Sequence, residues 1–548
     1  MKLNGAQIII KQLIAHGVDT VFGYPGGAVL PLYDELYKNA DAINHILTAH
    51  EQGAAHAADG YARASGRVGV VIATSGPGAT NLVTGIANAY LDSVPMVAIT
   101  GNVTTPLLGR DSFQEVDIVG ITAPIVKHNF LVRDISGLEA TMNEAFRIAN
   151  SGRRGPVLID IPKNVQTEMC EYSGKKPAAT PKISPSFDCE AILAAVEKCK
   201  RPYIYAGGGV VASEASSQLR ALSERLSAPV GLTLMGLTSL PGDYALNLGM
   251  TGMHGNYAAS VAKSESDLLI AVGVRFSDRG TGNIAEYEKG KTIIHIDIDN
   301  AEIRKNVMPH IEVCGDVKNV LTALLDKLPA KKNDEWCSRI DELKQVKVKE
   351  SSGEWNPQSI VDAVAGHCCG DTVIATDVGQ HQMWAIQHYN FQKPRTLLTS
   401  GGLGAMGYGL GAAIGGCMAT GKQRTILFTG DGSFGMNLIE LATAVSQELP
   451  IVVIIMNNNT LGLPRQWQTT FFGERYSSST LDRKTDFTAL ARSFGAQGFL
   501  AENRAQLEDA LKQLKDNIPA VIDCRIGIDE KVLPMIPPGG SVKDIIME

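Results

Sequence analysis

The chain has 548 residues, a formal net charge of -7 and 44% hydrophobic residues. That length is too great for one core and predicts three or four folded units, while the acidic balance argues against a nucleic-acid or anionic-membrane surface. The nine cysteines are odd in number and scattered, with no Cys-x-x-Cys pair, so reduced thiols, a cytoplasmic setting and no structural metal are expected.

From Met1 to Gln7 the chain runs straight into an amphipathic pattern without signal-peptide anatomy, and no apolar run is long enough to span a bilayer. Short apolar runs then recur, many followed by glycine. Strand, glycine-rich turn and helix is the rhythm of open parallel α/β sheets, whose ligands lie at the carboxyl ends of the strands. A first block has Val68–Thr74 before Ser75-Gly76-Pro77-Gly78, then Met96–Thr100 and Val157–Ile161. The Pro/Lys/Ser-rich stretch from Tyr172 to Ser186 reads as a linker. A second block has Tyr203–Ala206 before Gly207-Gly208-Gly209, then Leu268–Val272 and Thr292–Ile298, and closes in the polar run Lys349 to Asn356. A third has Val373–Thr376, Thr425–Phe428, Ile451–Ile455 and Ala520–Cys524. The expectation is α/β, with three consecutive open, mainly parallel sheet domains at 1–170, 188–345 and 357–548. Whether the first and third blocks share one architecture is not decided by the sequence.

The third block carries the strongest chemical signal. A strand over 424–429 delivers Gly430-Asp431-Gly432-Ser433, and a strand over 450–456 delivers Asn457-Asn458-Asn459-Thr460. Asp431 and the Asn458 amide oxygen are hard oxygen donors at the ends of neighbouring strands. Mg²⁺ takes few protein oxygens and completes its octahedron with water and phosphate. The glycines admit a diphosphate close to the backbone, and Ser433 reads as the opening of a helix whose N-terminus favours an anion. Either turn alone would be ordinary; spacing, strand context and the double asparagine together resemble the thiamine-diphosphate fingerprint.

Thiamine also needs a carboxyl group on its aminopyrimidine ring, to favour the imino tautomer that deprotonates the thiazolium carbon. In the first block Ile46-Leu47-Thr48 reads as a strand delivering His50-Glu51-Gln52, and the residues from Gly53 to Tyr61 read as an Ala-rich helix. Glu51 therefore sits at a strand-to-helix corner facing the sheet's carboxyl edge; the competing reading is a carboxylate that only complements the helix dipole. His50 and His56 have no third metal ligand nearby and read as capping or packing residues.

Over essentially its whole length the chain resembles the large, catalytic subunits of acetolactate synthases (acetohydroxyacid synthases). The resemblance rests on Phe22–Ala28, His50–Ala55, Ala73–Asn81, Asp111–Glu115, Gly252–Gly255, Val274–Arg279, Val378–Gln382, Arg465–Gln468 and the tail Met535–Gly540. It implies joining of two 2-ketoacids with loss of CO₂, on thiamine diphosphate and Mg²⁺, with FAD bound without redox duty. It implies Glu51, Gln114, Gly27, Lys163 and Met406 as catalytic, with Met406 bending the cofactor. Phe113, Arg279, Trp467 and Met253 would bind substrate, Arg279 holding the acceptor carboxylate and Trp467 walling its alkyl group. Gly379, Gln380, His381, Gly404, Gly430, Gly432, Ser433, Leu461 and Gly462 would surround the diphosphate, with Asp431, Asn458 and Thr460 on the metal. FAD would contact Arg153, Gly207, Gly208, Gly209, Met253, His254, Gly273, Arg275, Asp278, Arg279, Asp297, Ile298, Asp316 and Val317.

The resemblance further implies a homodimer or tetramer with active sites at the subunit interface, Glu51 coming from one subunit and the metal anchor from another. A small regulatory subunit is a further implied partner. Departures from the family pattern are Thr104, Arg110, Gly411 and Leu463-Pro464, the last beside the anchor, where Pro464 removes a backbone donor from the segment over the site. Rival readings are an FAD-free catabolic acetolactate synthase, a pyruvate oxidase, and an NAD-linked or non-enzymatic Rossmann protein; the last leaves the Mg²⁺ anchor unexplained.

Overall fold

The computed structural model describes residues 1–174, 187–348 and 353–548. Of the stretches singled out above, residues 175–186 of Tyr172–Ser186 and residues 349–352 of Lys349–Asn356 lie outside the described residues.

β1 (Lys2–Asn4) opens the chain, and β2 (Thr20–Tyr24), β3 (Asn44–Leu47), β4 (Gly69–Ala73), β5 (Met96–Asn102), β6 (His128–Leu131) and β7 (Pro156–Pro162) form a six-stranded sheet. β8 (Met169–Glu171) pairs antiparallel with β1 at its margin. The second sheet is β9 (Pro202–Ala206), β10 (Val230–Leu232), β11 (Asn247–Met250), β12 (Leu268–Val272), β13 (Thr292–Asp297) and β14 (Ile311–Cys314). The third is β15 (Val373–Thr376), β16 (Leu397–Leu398), β17 (Thr425–Gly430), β18 (Ile451–Asn457), β19 (Gln497–Ala501) and β20 (Ala520–Arg525). Every pairing within these three sheets is parallel. Such strands are covered on both faces, and accordingly β5, β7 and β18 are buried at every position.

Strand order separates the three. The first sheet runs β3-β2-β4-β5-β7-β6 and the third β16-β15-β17-β18-β20-β19. Counted within each unit, both are 2-1-3-4-6-5. The middle sheet runs β11-β10-β9-β12-β13-β14, or 3-2-1-4-5-6, the doubly wound order of dinucleotide-binding sheets.

In the first and third units the helix after the second strand carries the contact between them. The helix Glu51–Ser65 is capped by His50, whose Nδ1 accepts from the Gln52 N–H, and ends at Gly66 with φ 75°. It packs lengthwise on the helix Tyr408–Ala419. Small residues permit this closeness: a methyl group on Gly60 or Gly415 would overlap the Ala412 or Ala57 carbonyl, and one on Gly411 would stand 2.8 Å from His56 Cβ. Gly411, a departure from the family pattern, thus has a packing reason. At the same interface Arg63 pairs with Asp59 at 2.5 Å and Asp92 at 2.8 Å, and the Tyr408 hydroxyl donates to Asp59 at 2.7 Å. His56 is fully buried against Tyr408, so both histidines cap or pack as read.

Candidate active site

The carboxyl edge of the third sheet gathers the anchor. β17 and β18 are neighbours with Gly430 opposite Met456, which sets Asp431 beside Asn457-Asn458. The helix here opens at Asp431, with Gly430 as its N-cap, two residues earlier than the expected start at Ser433. The reason is that the turn closes on the backbone after Gly430, and Ser433 Oγ is used instead to donate to the Val378 carbonyl at 3.3 Å. Asp431 is 6% exposed, and burial raises its carboxyl to about 6. A carboxylate held so dry is costly unless something cationic meets it.

Asn458 is oriented by its neighbours. Its Nδ2 donates to Gln380 Oε1 at 3.1 Å, and its Oδ1 accepts only the Thr460 N–H, at 3.3 Å. The Thr460 hydroxyl donates to the Ser479 carbonyl at 2.7 Å, leaving the Thr460 main-chain oxygen as that residue's free donor to a metal. The set is therefore a carboxylate, an amide oxygen and a carbonyl. Among the described residues no group of three or more His, Cys, Asp or Glu forms a metal cluster. Few hard oxygens with room for phosphate and water suit Mg²⁺, and the residues fit that ion.

The surrounding cradle also fits a diphosphate. His381 is 5% exposed, burial pulls its imidazole down to about 3, and its Nε2 has no hydrogen-bond partner among the described residues. A neutral ring with an orphaned nitrogen faces Gly379 and Gly430, where added side chains would collide with it. Gly462 is required because any Cβ would overlap Gln380 Oε1, and a Cβ on Gly432 would come 2.9 Å from Leu461 Cδ2. Gln380 itself was expected around the diphosphate. Its side-chain amide meets Asn458, Gln466 and the Glu530 carbonyl, so it also aims Asn458.

Met406 precedes the helix Tyr408–Ala419 on a loop pinned from two sides. The Gly407 N–H donates to Asp377 Oδ1 at 2.8 Å, and Asn437 Nδ2 donates to the Gly407 carbonyl at 2.7 Å. Gly404 (φ 66°) and Gly407 (φ 91°) supply the left-handed turns. Met406 Cε lies 4.0 Å from where a Gly432 Cβ would be, directly over the anchor. Asp377, buried and raised to about 6 by desolvation, was not singled out in the sequence; a strand-end aspartate before Gly-Gln looks like any turn residue.

The first sheet presents the other half at its own carboxyl edge. Glu51 opens its helix and accepts from Asn81 Nδ2 at 2.9 Å. Gln114 sits at φ 56° in a loop held by Glu115, whose carboxylate accepts the N–H groups of Gly109, Arg110 and Ser112. Phe113, 88% exposed, and the exposed Gly27 and Lys163 flank it. Among the described residues no hydrogen bond or ion pair joins Glu51 to the anchor. One contact that crosses to the Glu51 corner is made by Glu440, fully buried, whose carboxylate accepts the N–H of Ala49 at 3.1 Å and of His50 at 2.9 Å. Burial raises its carboxyl above the ordinary range. Sequence reading missed it, since nothing local marks Glu440.

Three segments distant in sequence meet at Met253, Arg279 and Trp467. Arg279 Nη1 lies 3.6 Å from Met253 Sδ, and its guanidinium stands 5.9 Å from the Trp467 ring centroid. Trp467 rides on the helix Gly462–Phe471. Pro464 falls in the first turn of this helix, where N–H groups lack intrahelical partners anyway, so its missing donor breaks no helix hydrogen bond.

In the middle sheet the order reverses between β9 and β12. The crevice there is bounded by Gly207-Gly208-Gly209 after β9 and by Gly273–Arg275 after β12, with Gly209 N–H donating to the Gly273 carbonyl at 3.2 Å. Arg275 is half-buried, burial lowers its guanidinium, and no ion pair engages it among the described residues. Glycine backbone beside an unpaired cation fits a dinucleotide diphosphate. Asp297, Ile298 and Asp316 lie along the same edge after β13 and β14, Asp316 capping the helix Val317–Leu325 on buried Val317. His254 is buried and lowered to about 4. Arg153 is already engaged by Glu302 at 2.5 Å and Ser93 at 2.8 Å. Asp278 is exposed on the short helix that carries Arg279.

The chain matches thiamine pyrophosphate enzyme models for the N-terminal TPP binding domain over residues 3–121, the central domain over 189–324 and the C-terminal TPP binding domain over 377–524. It is 45% identical to a probable acetolactate synthase large subunit of Methanocaldococcus jannaschii, covering 99% of this chain and 95% of the relative. It is 42% identical to the acetolactate synthase isozyme 2 large subunit of Escherichia coli, covering 99% of each. Against the acetolactate synthase large subunit of a Buchnera aphidicola the identity is 42%, covering 99% of this chain and 98% of the relative. The chain therefore belongs to the acetolactate synthase large-subunit family of thiamine pyrophosphate enzymes.

Proposed function

We propose that this chain is the catalytic subunit of a biosynthetic acetolactate synthase working on thiamine diphosphate, Mg²⁺ and FAD. It takes pyruvate as donor and pyruvate or 2-ketobutyrate as acceptor, yielding 2-acetolactate or 2-aceto-2-hydroxybutyrate, the first common step towards valine, leucine and isoleucine. One C–C bond breaks to release CO₂, one forms to the acceptor carbonyl, and a proton is taken up. The observation that carries this reading is the joint placement of Arg279, Met253 and Trp467 in a chain that also holds the Asp431–Asn458 anchor.

Bound thiamine diphosphate supplies the electron sink for decarboxylation, held by Asp431, Asn458 and Thr460 through Mg²⁺ and by His381, Gly379, Gly404, Gly430, Gly432, Ser433, Leu461 and Gly462. Glu51 holds the activating proton, its carboxylate fixed by Asn81. Met406 props the site from its pinned loop. Arg279 takes the acceptor carboxylate in its planar fork, and Trp467 shapes the space for its alkyl group. A single methylene there changes selectivity by about 1–3 kcal/mol. Gly27, Phe113, Gln114 and Lys163 line the channel from the first sheet of a second subunit, so the working unit is at least a dimer with an isologous interface. The switch-point crevice with Arg275 takes FAD. The protein works in the cytoplasm, and a small regulatory subunit is a candidate partner.

The test is incubation of the purified chain with pyruvate, thiamine diphosphate, Mg²⁺ and FAD, omitting each in turn and identifying the product. Acetolactate formation that needs all three is expected. Peroxide with bleaching of the flavin, or full activity in Glu51→Gln, overturns the reading.

A further inference from the structure

Behind the backbone that carries Arg279 lies a cavity of about 190 Å³. It is enclosed by the helix Tyr257–Glu265, the segment from Asp278 to Lys291 and the C-terminal tail from Ile536 to Lys543. Two lysines line it, Lys263 and Lys291, each 6% exposed. Lys263 Nζ donates to the Gly280 carbonyl at 2.7 Å, and Lys291 Nζ to the Lys263 carbonyl at 2.9 Å. Neither has a carboxylate partner among the described residues. The rings of Tyr205 and Tyr287 stand 5.2 and 4.9 Å from Lys263 Nζ. Tyr287 also lines the cavity, is 6% exposed, and its hydroxyl has no hydrogen-bond partner among the described residues.

An ammonium group has three donors, and burying it unpaired is expensive. Burial and the neighbouring Lys291 accordingly pull Lys263 down to about 7, and burial pulls Lys291 to about 8. Of the carboxylates in the lining, Glu286, on the short helix Ile284–Glu288, is committed to Lys543 at 3.1 Å and Lys289 at 3.8 Å, and Asp278 stands 3.8 Å from Arg279. Two ammonium groups without a carboxylate partner and an orphaned phenol around one small, partly open volume share one feature: each is completed by an anion. The tail side is apolar, with Ile536 and Pro537. The volume is well below that of a drug-sized pocket, so the occupant carries only a few carbons.

We propose that this cavity binds a short-chain monocarboxylate, its oxygens on Lys263 Nζ and the Tyr287 hydroxyl and its carbon chain against Ile536 and Pro537. The cavity adjoins the ketoacid face, Met253 and Arg279 standing between the two and lining both. Lys263 holds the Gly280 carbonyl, the Arg279 carbonyl accepts the Met253 N–H at 2.8 Å, and the Met253 carbonyl accepts the Ile536 N–H at 2.8 Å. Occupancy therefore clamps the tail against the segment bearing Arg279.

Acetate is the probe, compared with chloride at equal ionic strength, on the enzyme loaded with thiamine diphosphate, Mg²⁺ and FAD. A saturable rise in Tm of about 3 °C with acetate over chloride is expected, as for a ligand bound only by the folded state. The rise disappears in Lys263→Met and persists in Arg279→Ala and Trp467→Ala. No acetate-specific rise, meaning a cavity filled by water, overturns the proposal. So does an undiminished rise in Lys263→Met, or its loss in Arg279→Ala, which would place acetate on the ketoacid face. If Lys263→Met does not fold, Tyr287→Phe carries the test: an unchanged acetate response in it overturns the proposal equally.

Discussion

The first and third sheets are the same construction put to different uses. Their strand orders coincide, and the match extends to individual residues. In the first, Asp160 on β7 lies opposite Thr100, two residues before Asn102, and accepts from Asn102 Nδ2 at 2.5 Å. In the third, Asp523 on β20 lies opposite Ile455, two residues before Asn457, and accepts from Asn457 Nδ2 at 2.8 Å. Following this register outward, Val103 stands where the third unit has Asn458, and Ser75 where it has Asp431. The first unit therefore keeps the frame and lacks the metal donors. Its candidate acid lies two strands away from β4, at Glu51 after β3, where the third unit has the loop that leads to Met406. The lesson is that the carboxyl edge is common property, and which strand end bears the carboxylate decides the chemistry.

The sharpest way to break this division of labour is to mix two dead variants. Glu51→Gln and Asp431→Asn should each lose nearly all carboligation while folding normally. Unfolded and refolded together, they should recover about a quarter of wild-type activity, because half the dimers are mixed and each carries one intact site across the interface. No recovery would mean that both halves act within one chain.

Next in size is the joint between the two units. Arg63→Ala leaves Asp59 and Asp92 buried without their cation, and such a loss costs roughly 3–5 kcal/mol. A lowered urea midpoint should report it; an unchanged midpoint would show that the packed glycine and alanine helices hold the units without the ion triad.

The matched aspartates should differ in their pH response. Asp160 is raised to about 7 by burial, above its unfolded value. Its contribution to stability is therefore full at acid pH and lost as pH rises through 7. Asp160→Asn should gain on wild type by about 2 kcal/mol between pH 5 and pH 8 in urea unfolding. Asp523 is raised too, by burial, but Arg525 at 2.9 Å supports its charge, so Asp523→Asn should gain in the same direction and by less.

The smallest expected effect concerns Glu440, the one carboxylate through which the third unit grips the Glu51 corner. Glu440→Gln weakens two charge-assisted hydrogen bonds to the Ala49 and His50 N–H groups, and kcat should fall about tenfold with KM unchanged. A change confined to KM would show that the corner keeps its position without it.

Much of the chemistry was written locally. Asp431, Asn458 and Glu51 could be named from sequence because each follows a short apolar run, and a parallel strand puts the residues after it at the ligand edge whatever else the fold does. The three-sheet organisation was legible for the same reason. Tertiary structure decided the rest. The common 2-1-3-4-6-5 order depends on long-range pairing that no window of sequence contains. That Gln380 also aims Asn458 could not be read locally, because Gln466 and Glu530 reach it from distant segments. Asp377, Glu440 and the Lys263–Tyr287 cavity carry no local signature; their properties come from burial, and burial is set only when the units close on one another.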